Sequence, residues 1–275
     1  MRTDIGFIGA GQMGEPMVSR LLGAGHTVVV YARRDDVRQR LSAQGADLAD
    51  SVSDVARRSD IVISCLFSDA QLRETGLGSD GFIANARPGA VFVSHTTGAQ
   101  STLTALRDSH PSPPVILDAP VSGTADNIAA GTLTVLVGGP SDAVRTVSPV
   151  LAAYADPIIR TGEVGSALAI KLVNNLLFSA NAQLLAAATD LGNFLGVDED
   201  ALLSALQVCS GASHAAAHAH RIGGMRTFVE LAGPFLRKDI DAVVETAGQA
   251  GADLGLLGEV VDRGPLALRG DSSTR

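Results

Sequence analysis

The fold of the N-terminal part of this chain is decided by the stretch Ile5-Gly6-Phe7-Ile8-Gly9-Ala10-Gly11-Gln12-Met13-Gly14-Glu15-Pro16-Met17. Three glycines in the spacing G-x-G-x-x-G interrupt an apolar run, and a helical segment follows. This order predicts a buried strand, a tight turn and a helix whose first N–H groups lack acceptors. Gly9 allows the turn, Gly11 lets a phosphate approach the backbone, and Gly14 lets the helix pack on the strand. The stretch therefore predicts a dinucleotide-binding site made of residues Gly9, Ala10, Gly11, Gln12, Met13 and Gly14.

The end of the second predicted strand indicates which dinucleotide is bound. Strand 27–31 is followed by Ala32-Arg33-Arg34, and the first carboxylate comes only at Asp35. Folds that select NAD place an acidic residue here for the ribose 2′-hydroxyl, whereas a 2′-phosphate needs arginine. Arg33 and Arg34 therefore predict NADP, with NAD as a weaker alternative. The competing interpretation is a pair of solvated arginines that open the next helix.

Composition excludes several classes of protein. The 275 residues carry a net charge of −8 with a pI near 5.2, and without a basic run this argues against a nucleic-acid partner. Cys65 and Cys209 are too distant in sequence to indicate a disulfide framework or a C-x-x-C motif. Residues 172–189 are uncharged, but their polar side chains would be costly in lipid, so we expect no membrane partner. A strand begins within four residues of Met1, so we expect no signal peptide and a cytoplasmic enzyme.

The chain divides into an alternating part and a helical part. Before residue 160, short apolar runs alternate with segments suited to crossover helices, which predicts a mainly parallel sheet with helices on both faces. The predicted strands are residues 5–8, 27–31, 61–66, 90–93, 115–117 and 133–137. The predicted helices of the second part are residues 165–195, 198–208, 214–224, 234–250 and 254–263. We predict an α/β, Rossmann-like, NADP-binding domain over 1–164, an all-helical domain over 165–263 joined to it by a long interdomain helix, and a disordered tail over 264–275.

Two further segments carry groups suited to chemistry. Residues 118–124, Asp-Ala-Pro-Val-Ser-Gly-Thr, follow a strand and offer successive N–H donors and two hydroxyls to a carboxylate; an ordinary capped turn is the alternative. Lys171 and Asn175 are four residues apart on the long helix and share one face. Apolar neighbours withdraw solvent from Lys171, which favours a general acid/base over a snorkelling surface lysine.

In this order, the motifs resemble those of the 3-hydroxyisobutyrate dehydrogenase family, also called the β-hydroxyacid dehydrogenases. The matching segments are residues 6–14, 118–123, Gly165 with residues 171–175, and Lys238-Asp239, which together span about residues 1–263. The resemblance implies a Rossmann domain, a long helix, and an all-helical domain for substrate binding and dimerisation, with the active site in the cleft. It also implies a homodimer or homotetramer.

The resemblance further implies an oxidoreductase that transfers hydride reversibly between NADP and a small 3-hydroxy acid or semialdehyde. Its catalytic residues would be Lys171 as general acid/base, with Asn175 and Ser122. The carboxylate of a small-molecule substrate would be held by Ser122, Gly123, Thr124 and Asn174. The cofactor groove would be lined by Leu66, Phe67, Thr97 and Lys238. No metal is implied.

Several departures from the family pattern affect the substrate more than the cofactor. Thr124 stands where a second glycine is common, Ala167 replaces a glycine, and Ser94-His95-Thr96-Thr97 replaces Asp-x-Ser-Thr. Alternatives are an imine reductase of the same architecture and a non-catalytic NADP-binding protein. A 6-phosphogluconate-type decarboxylating enzyme fits less well, because it carries a His-Asn pair where this chain has Asn174-Asn175.

A group of histidines lies at 214, 218 and 220 in the second part of the chain. His214 and His218 are four residues apart on a predicted helix, and His220 follows closely. The segment holds no Cys, Asp or Glu that could complete a zinc site. We therefore expect His214 to influence substrate choice and the other two histidines to be solvated.

Overall fold

The structure is a computed structural model that describes residues 3–269, and the chain divides into two compact units after Lys171. In the first unit nine strands form one sheet, which confirms the predicted Rossmann-like domain. The strands are β1 (Ile5–Ile8), β2 (Val28–Tyr31), β3 (Asp47–Leu48), β4 (Ile61–Ser64), β5 (Val91–Ser94), β6 (Val115–Asp118), β7 (Val121–Ser122), β8 (Leu133–Gly138) and β9 (Ala155–Gly162). The helices are α1 (Gly14–Gly23), α2 (Asp35–Ala43), α3 (Val52–Arg58), α4 (Asp69–Gly76), α5 (Phe82–Asn85), α6 (Gln100–Asp108), α7 (Ala125–Ala130) and α8 (Ser141–Leu151).

Six strands of the sheet are parallel, in the order β3-β2-β1-β4-β5-β6 that is characteristic of dinucleotide folds. Strand β8 is antiparallel to β6 and β7 and parallel to β9. Register places Ile8, Ser64, Ser94 and Asp118 side by side across four strands. The carboxyl ends of β1, β4, β5 and β6 therefore form one level edge, where such folds bind their ligands.

The central strands read as unbroken apolar runs because helices cover both faces of the sheet. Phe7, Ile63 and Val93 belong to the core on one face. Val62 and Phe92 belong to the core on the other face. All five side chains are buried, so the strand pattern predicted from the sequence follows from burial on both sides.

All the regular secondary structure among the described residues of the second unit is helical. Its helices are the greater part of α9 (Ser166–Phe194), then α10 (Glu199–Leu206), α11 (His214–Arg221), α12 (Met225–Ala250) and α13 (Gly255–Arg263). Leu176, Phe228 and Ile240 are among the residues of its core. The predicted long helix over 165–195 is confirmed by α9. Between residues 3 and 269, none of the helices has the length and apolar character that crossing a bilayer demands.

Four features differ from the sequence-based expectations. Strands β3, β7 and β9 were not predicted, because β3 and β7 are two residues long and β9 is half exposed and contains Pro157. Helix α12 begins at Met225, whereas Pro234 suggested a later start; the proline lies inside the helix. The division follows Lys171 and not residue 164, since Leu168 of α9 packs in the core of the first unit.

The fourth difference concerns the tail predicted to be disordered from Gly264. Leu268 is buried, and the backbone N–H of Leu266 donates to Gln183 Oε1 at 2.8 Å. Gln183 in turn donates to the carbonyls of Val261 and Leu266. Residues 264–269 therefore pack on the helical unit, and residues 270–275 lie outside the described part of the chain.

Candidate active site

The glycine turn after β1 has the geometry of a pyrophosphate site. Gly9 has φ +95°, and a Cβ there would collide with the carbonyl oxygen of Cys65. A Cβ on Gly14, the first residue of α1, would collide with the carbonyl oxygen of Gly9. A Cβ on Gly11 would meet nothing within 4 Å. Packing thus requires two of the glycines, while the third leaves the backbone open to a ligand beside the positive end of α1.

The two arginines after β2 have different environments. Arg34 binds Asp36 (Nε to Oδ1 3.0 Å), and Asp36 also binds Arg40, which bridges to Glu15 in the first turn of α1. The hydrogen bonds from Arg34 and Arg40 hold the pKa of Asp36 far below its usual range. Arg33 is exposed and makes no ion pair with any described residue. The predicted pair is therefore divided, with one guanidinium engaged by a carboxylate and one open to solvent.

The predicted cofactor-lining residues of the first unit lie at the ends of neighbouring strands. Leu66 is partly buried after β4, and Phe67 beside it is 61% exposed. Thr97 follows β5 and is half-buried. Asp69 accepts a hydrogen bond from the backbone N–H of Ala99 at 2.9 Å, which anchors the segment after β5 to the start of α4. The structure thus brings Leu66, Phe67 and Thr97 to the same edge as the glycine turn.

Asp118, at the end of β6, attaches the start of α9 to this edge. Its buried carboxylate accepts hydrogen bonds from the backbone N–H groups of Gly165 (2.8 Å) and Leu168 (2.9 Å). A carboxylate at a helix N-terminus also interacts favourably with the helix dipole. Lys171 is half-buried and lies three residues after Leu168 on the same helix. The sequence placed Asp118 in a motif but gave no sign of this role, because its partners are about fifty residues away in the chain.

Loop 118–124 offers fewer free donors than its sequence suggests. The backbone N–H of Thr124 donates to Asn127 Oδ1 at 2.9 Å, and its hydroxyl lies 3.1 Å from the same oxygen. Ser122 and Gly123 are exposed, and Gly123 has φ +137°. The donors of Thr124 are thus used in capping α7, while Ser122 and Gly123 remain accessible. This leaves the prediction for Thr124 without the donors on which it relied.

The remaining predicted residues belong to the helical unit. Asn175 is 5% exposed; its Oδ1 accepts from Asn174 Nδ2 at 3.2 Å, and its Nδ2 has no hydrogen-bond partner among the described residues. A buried donor without an acceptor costs about 1–3 kcal/mol, so this amide has an unused donor that a ligand oxygen could accept. Lys238 is half-buried on α12.

The histidines on α11 pack against neighbouring side chains of the helical unit. The ring of His214 lies 6.0 Å from that of Phe178, and the ring of His218 lies 5.6 Å from that of Phe228. The pKa of His218 is lowered mainly by burial and to a smaller extent by the neighbouring Arg221 and His214. His220 is exposed, with Nε2 3.2 Å from Ser204 Oγ, whereas His218 is half-buried, so the expectation of a solvated side chain is wrong for His218. Between residues 3 and 269, no three His, Cys, Asp or Glu side chains gather as a metal site requires.

Comparison with known proteins agrees with this geometry. Residues 4–165 match the family model for the NAD binding domain of 6-phosphogluconate dehydrogenase. A 3-hydroxyisobutyrate dehydrogenase of Pseudomonas aeruginosa is 33% identical over 214 residues, which cover 78% of this chain and 72% of that protein. A solved 3-hydroxyisobutyrate dehydrogenase of Mycobacterium tuberculosis, with L-serine, has a TM-score of 0.83 at 27% identity, covering 95% of this chain and 92% of that one.

A more distant solved structure shares the fold alone. It is an imine reductase of Myxococcus stipitatus in complex with NADP+, with a TM-score of 0.57 at 21% identity, covering 92% of this chain and 80% of that one. The match of the nucleotide-binding domain and the identity to the Pseudomonas enzyme together establish the relationship. This chain belongs to the 3-hydroxyisobutyrate dehydrogenase family and is an NAD(P)-dependent oxidoreductase.

Proposed function

We propose that this protein transfers hydride reversibly between NADP and a small 3-hydroxy acid or its semialdehyde, with Lys171 as the general acid/base. The observation that supports the proposal is the pair of hydrogen bonds from the Gly165 and Leu168 amides to Asp118, which hold the first turn of α9 at the carboxyl edge of the sheet. Lys171 is three residues after Leu168 on this helix and belongs to the same compact unit as the glycine turn. A proton-transferring group is needed close to the nicotinamide end of a bound dinucleotide, and an amine such as that of Lys171 is suited to this task.

The cofactor part of the proposal is supported by the glycine turn and by Arg33. The open approach to Gly11 and the positive end of α1 suit a pyrophosphate. Arg33, exposed and without a carboxylate partner among the described residues, suits a ribose 2′-phosphate better than Arg34, which binds Asp36. When bound, the nicotinamide ring supplies the hydride acceptor or donor.

The protein's own residues supply the proton transfer and the orientation of the substrate. In the oxidative direction the Lys171 amine takes the alcohol proton as hydride leaves the same carbon; in the reductive direction it returns that proton to the oxygen. Asn175, one helical turn beyond, has an unused buried amide donor with which to orient an oxygen of the substrate. Ser122 and Gly123 are the accessible donors for the substrate carboxylate. The roles predicted for Asn174, Thr124 and Lys238 stay predictions.

We also propose that the protein forms a homodimer or homotetramer. Several large apolar side chains of α9 are exposed, and three of them recur at seven-residue intervals: Leu177, Leu184 and Leu191. Residues at this spacing lie on one side of a helix. Exposed apolar stripes of this kind mark interfaces. The cytoplasmic location expected from the sequence stays a proposal as well.

The test is an initial-rate panel that follows NADPH absorbance, repeated with NADH. It contains 3-hydroxyisobutyrate, L-serine, short semialdehydes and a cyclic imine. The expected result is turnover of a hydroxy acid or semialdehyde that is faster with NADP(H) than with NAD(H). Turnover of the imine alone would assign the protein to imine reduction. Cofactor binding without turnover of any compound would support the non-catalytic alternative.

A further inference from the structure

His95 and Tyr154 form a buried polar pair in the apolar core beneath the edge that carries the site. His95 follows β5 and is 4% exposed, and Tyr154, which precedes β9, is fully buried. His95 Nδ1 lies 2.5 Å from the carbonyl oxygen of Ala119, and Nε2 lies 2.9 Å from the Tyr154 hydroxyl. The two rings meet edge to face at 5.9 Å. Every polar atom of the imidazole is therefore satisfied.

The partners of the ring determine its tautomer. A carbonyl oxygen can only accept, so Nδ1 must carry the hydrogen that is donated to Ala119. In a neutral ring Nε2 is then an acceptor, and the Tyr154 hydroxyl donates to it. Burial keeps the ring neutral, since it lowers the pKa of His95 to about 4, and it raises the pKa of Tyr154 well above its usual value. Both hydrogen bonds thus have one fixed direction.

The Nδ1 bond of His95 holds the beginning of loop 118–124, together with the bond from the Ala119 N–H to the carbonyl of Ser94 (2.7 Å). Ala119 lies between Asp118, which is held by the start of α9, and Pro120, whose carbonyl accepts from the N–H of Leu136. Side chains of successive strand residues point to opposite faces of the sheet, so Asp118 and His95 hold the loop from opposite sides. Ser122 and Gly123 follow Pro120 by two and three residues. Val121 and Ser122 pair with β8, and the bond from His95 holds the Ala119 carbonyl just before this paired segment, so it contributes to the orientation of Ser122 and Gly123.

We propose that His95, in its Nδ1–H tautomer, is a positioning residue that fixes the Ala119 carbonyl and thereby orients Ser122 and Gly123 toward a substrate carboxylate. The effect on substrate rests on the proposed function, whereas the ordering of the loop does not. His95 touches neither substrate nor cofactor in this role. Its contribution belongs to substrate KM and not to kcat.

Two substitutions separate the two nitrogens of the ring. The amide nitrogen of asparagine can stand in for Nδ1, so His95→Asn keeps a donor for Ala119; that of glutamine is placed like Nε2, so His95→Gln loses it. Tyr154→Phe is the matched control, because it removes the other buried hydrogen bond and leaves the bond to Ala119. With 3-hydroxyisobutyrate, we expect His95→Gln to raise KM roughly tenfold at unchanged kcat, the loss of about one buried hydrogen bond. His95→Asn and Tyr154→Phe should stay within about threefold of wild type.

A second measurement does not depend on any substrate. Amide hydrogen exchange of residues 121–123 in the ligand-free protein should accelerate in His95→Gln and not in His95→Asn or Tyr154→Phe. Nitrogen-15 NMR of wild type should show a protonated Nδ1 and an unprotonated Nε2 at His95. Equal exchange in the Asn and Gln variants, or the opposite tautomer, would overturn the proposal. Absence of turnover in wild type would defeat the proposed function, while the exchange comparison would still decide the role of His95.

Discussion

The glycine turn at residues 9–14 and loop 118–124 lie on the same edge of the sheet but are determined in different ways. The glycine turn is local: its constraints are contacts of Gly14 with the Gly9 carbonyl and of Gly9 with Cys65 at the end of the adjacent strand. Loop 118–124 is held from a distance, by the amides of Gly165 and Leu168 and by His95. The conformation of the glycine turn can therefore be predicted from a short motif, whereas that of loop 118–124 depends on hydrogen bonds between residues far apart in the chain.

The two regions also differ in the substitutions that they can accept. A collision between backbone atoms leaves no substitute for glycine, so the motif cannot vary without moving the strand or the helix. A carbonyl such as that of Ala119 can be held by any buried donor of suitable length, and this chain uses His95. Variation is expected where the requirement is a donor and not a shape.

The largest effect is expected from replacing Lys171, which should abolish most of the turnover and leave cofactor binding at the glycine turn intact. Lys171→Ala should lower kcat on the best substrate by about 10²–10⁴, the usual contribution of one acid/base group. Lys171→Arg is the control for charge, since arginine stays protonated and cannot act as a base. Initial rates and a fluorescence titration with NADPH measure the two properties separately. Unimpaired turnover in Lys171→Ala would contradict the assignment, and weakened NADPH binding would show that the two regions are not independent.

The next effect concerns acid stability and belongs to the region of loop 118–124. The folded pKa of His95, about 4, lies below the ordinary value of 6.5, so between these two pH values the unfolded chain binds the extra proton. The free energy of unfolding should therefore fall as pH decreases from 6.5 to 4, by roughly 3 kcal/mol, and this contribution should be constant above pH 7. Urea unfolding at several pH values measures it.

The control for this prediction is His95→Asn, which has no group that titrates in the window. Carboxylates with lowered pKa values also lose stabilisation in acid, but they do so equally in both proteins; examples are Asp60, which accepts from the Asp4 backbone N–H and from Arg87, and Asp108, which accepts from Arg107. The difference between the two curves isolates His95. Parallel curves between pH 6.5 and 4 would mean that the imidazole accepts a proton without leaving its place.

Two glycine substitutions test the local constraints on the glycine turn. Gly14→Ala places a Cβ against the Gly9 carbonyl and should lower the free energy of unfolding by about 1–3 kcal/mol. Gly11→Ala meets open space and should change it by less than about 0.5 kcal/mol. Gly11→Ala should nevertheless weaken NADPH binding, because the methyl group occupies the approach of the pyrophosphate. Wild-type affinity in Gly11→Ala would place the dinucleotide elsewhere.

The smallest expected effect distinguishes the two arginines. Arg33→Ala should weaken NADPH roughly tenfold more than NADH, the value of one charged hydrogen bond to the 2′-phosphate. Arg34→Ala should change the ratio of the NADPH and NADH dissociation constants less, because the Arg34 guanidinium already binds Asp36. Dissociation constants for both cofactors in both variants provide the measurement. Equal losses for NADPH and NADH in Arg33→Ala would mean that Arg33 does not contact the phosphate.

Much of the fold was predictable because strong periodic signals are enforced by burial. The apolar runs of β1, β2, β4, β5, β6 and β8 and the long helix α9 appear where the sequence indicates them. Strands β3, β7 and β9 were not predicted because two-residue or half-exposed strands show no apolar run or alternation in the sequence. Residues 264–269 were predicted to be disordered because Gly264 and the polar sequence from Arg269 to Thr274 suggest an unstructured tail, whereas Gln183 supplies hydrogen bonds that order residues 264–269.

The sequence by itself determined the glycine turn, the alternating and helical halves, and the family, since each rests on neighbouring residues or on motifs in order. Only the tertiary structure decided that Asp118 holds the start of α9, that Asn127 takes the donors of Thr124, and that Arg34 is engaged by Asp36. It also decided the tautomer of His95. The physical reason is that a hydrogen bond depends on which groups meet in space, and residues far apart in sequence leave no periodic trace of their meeting.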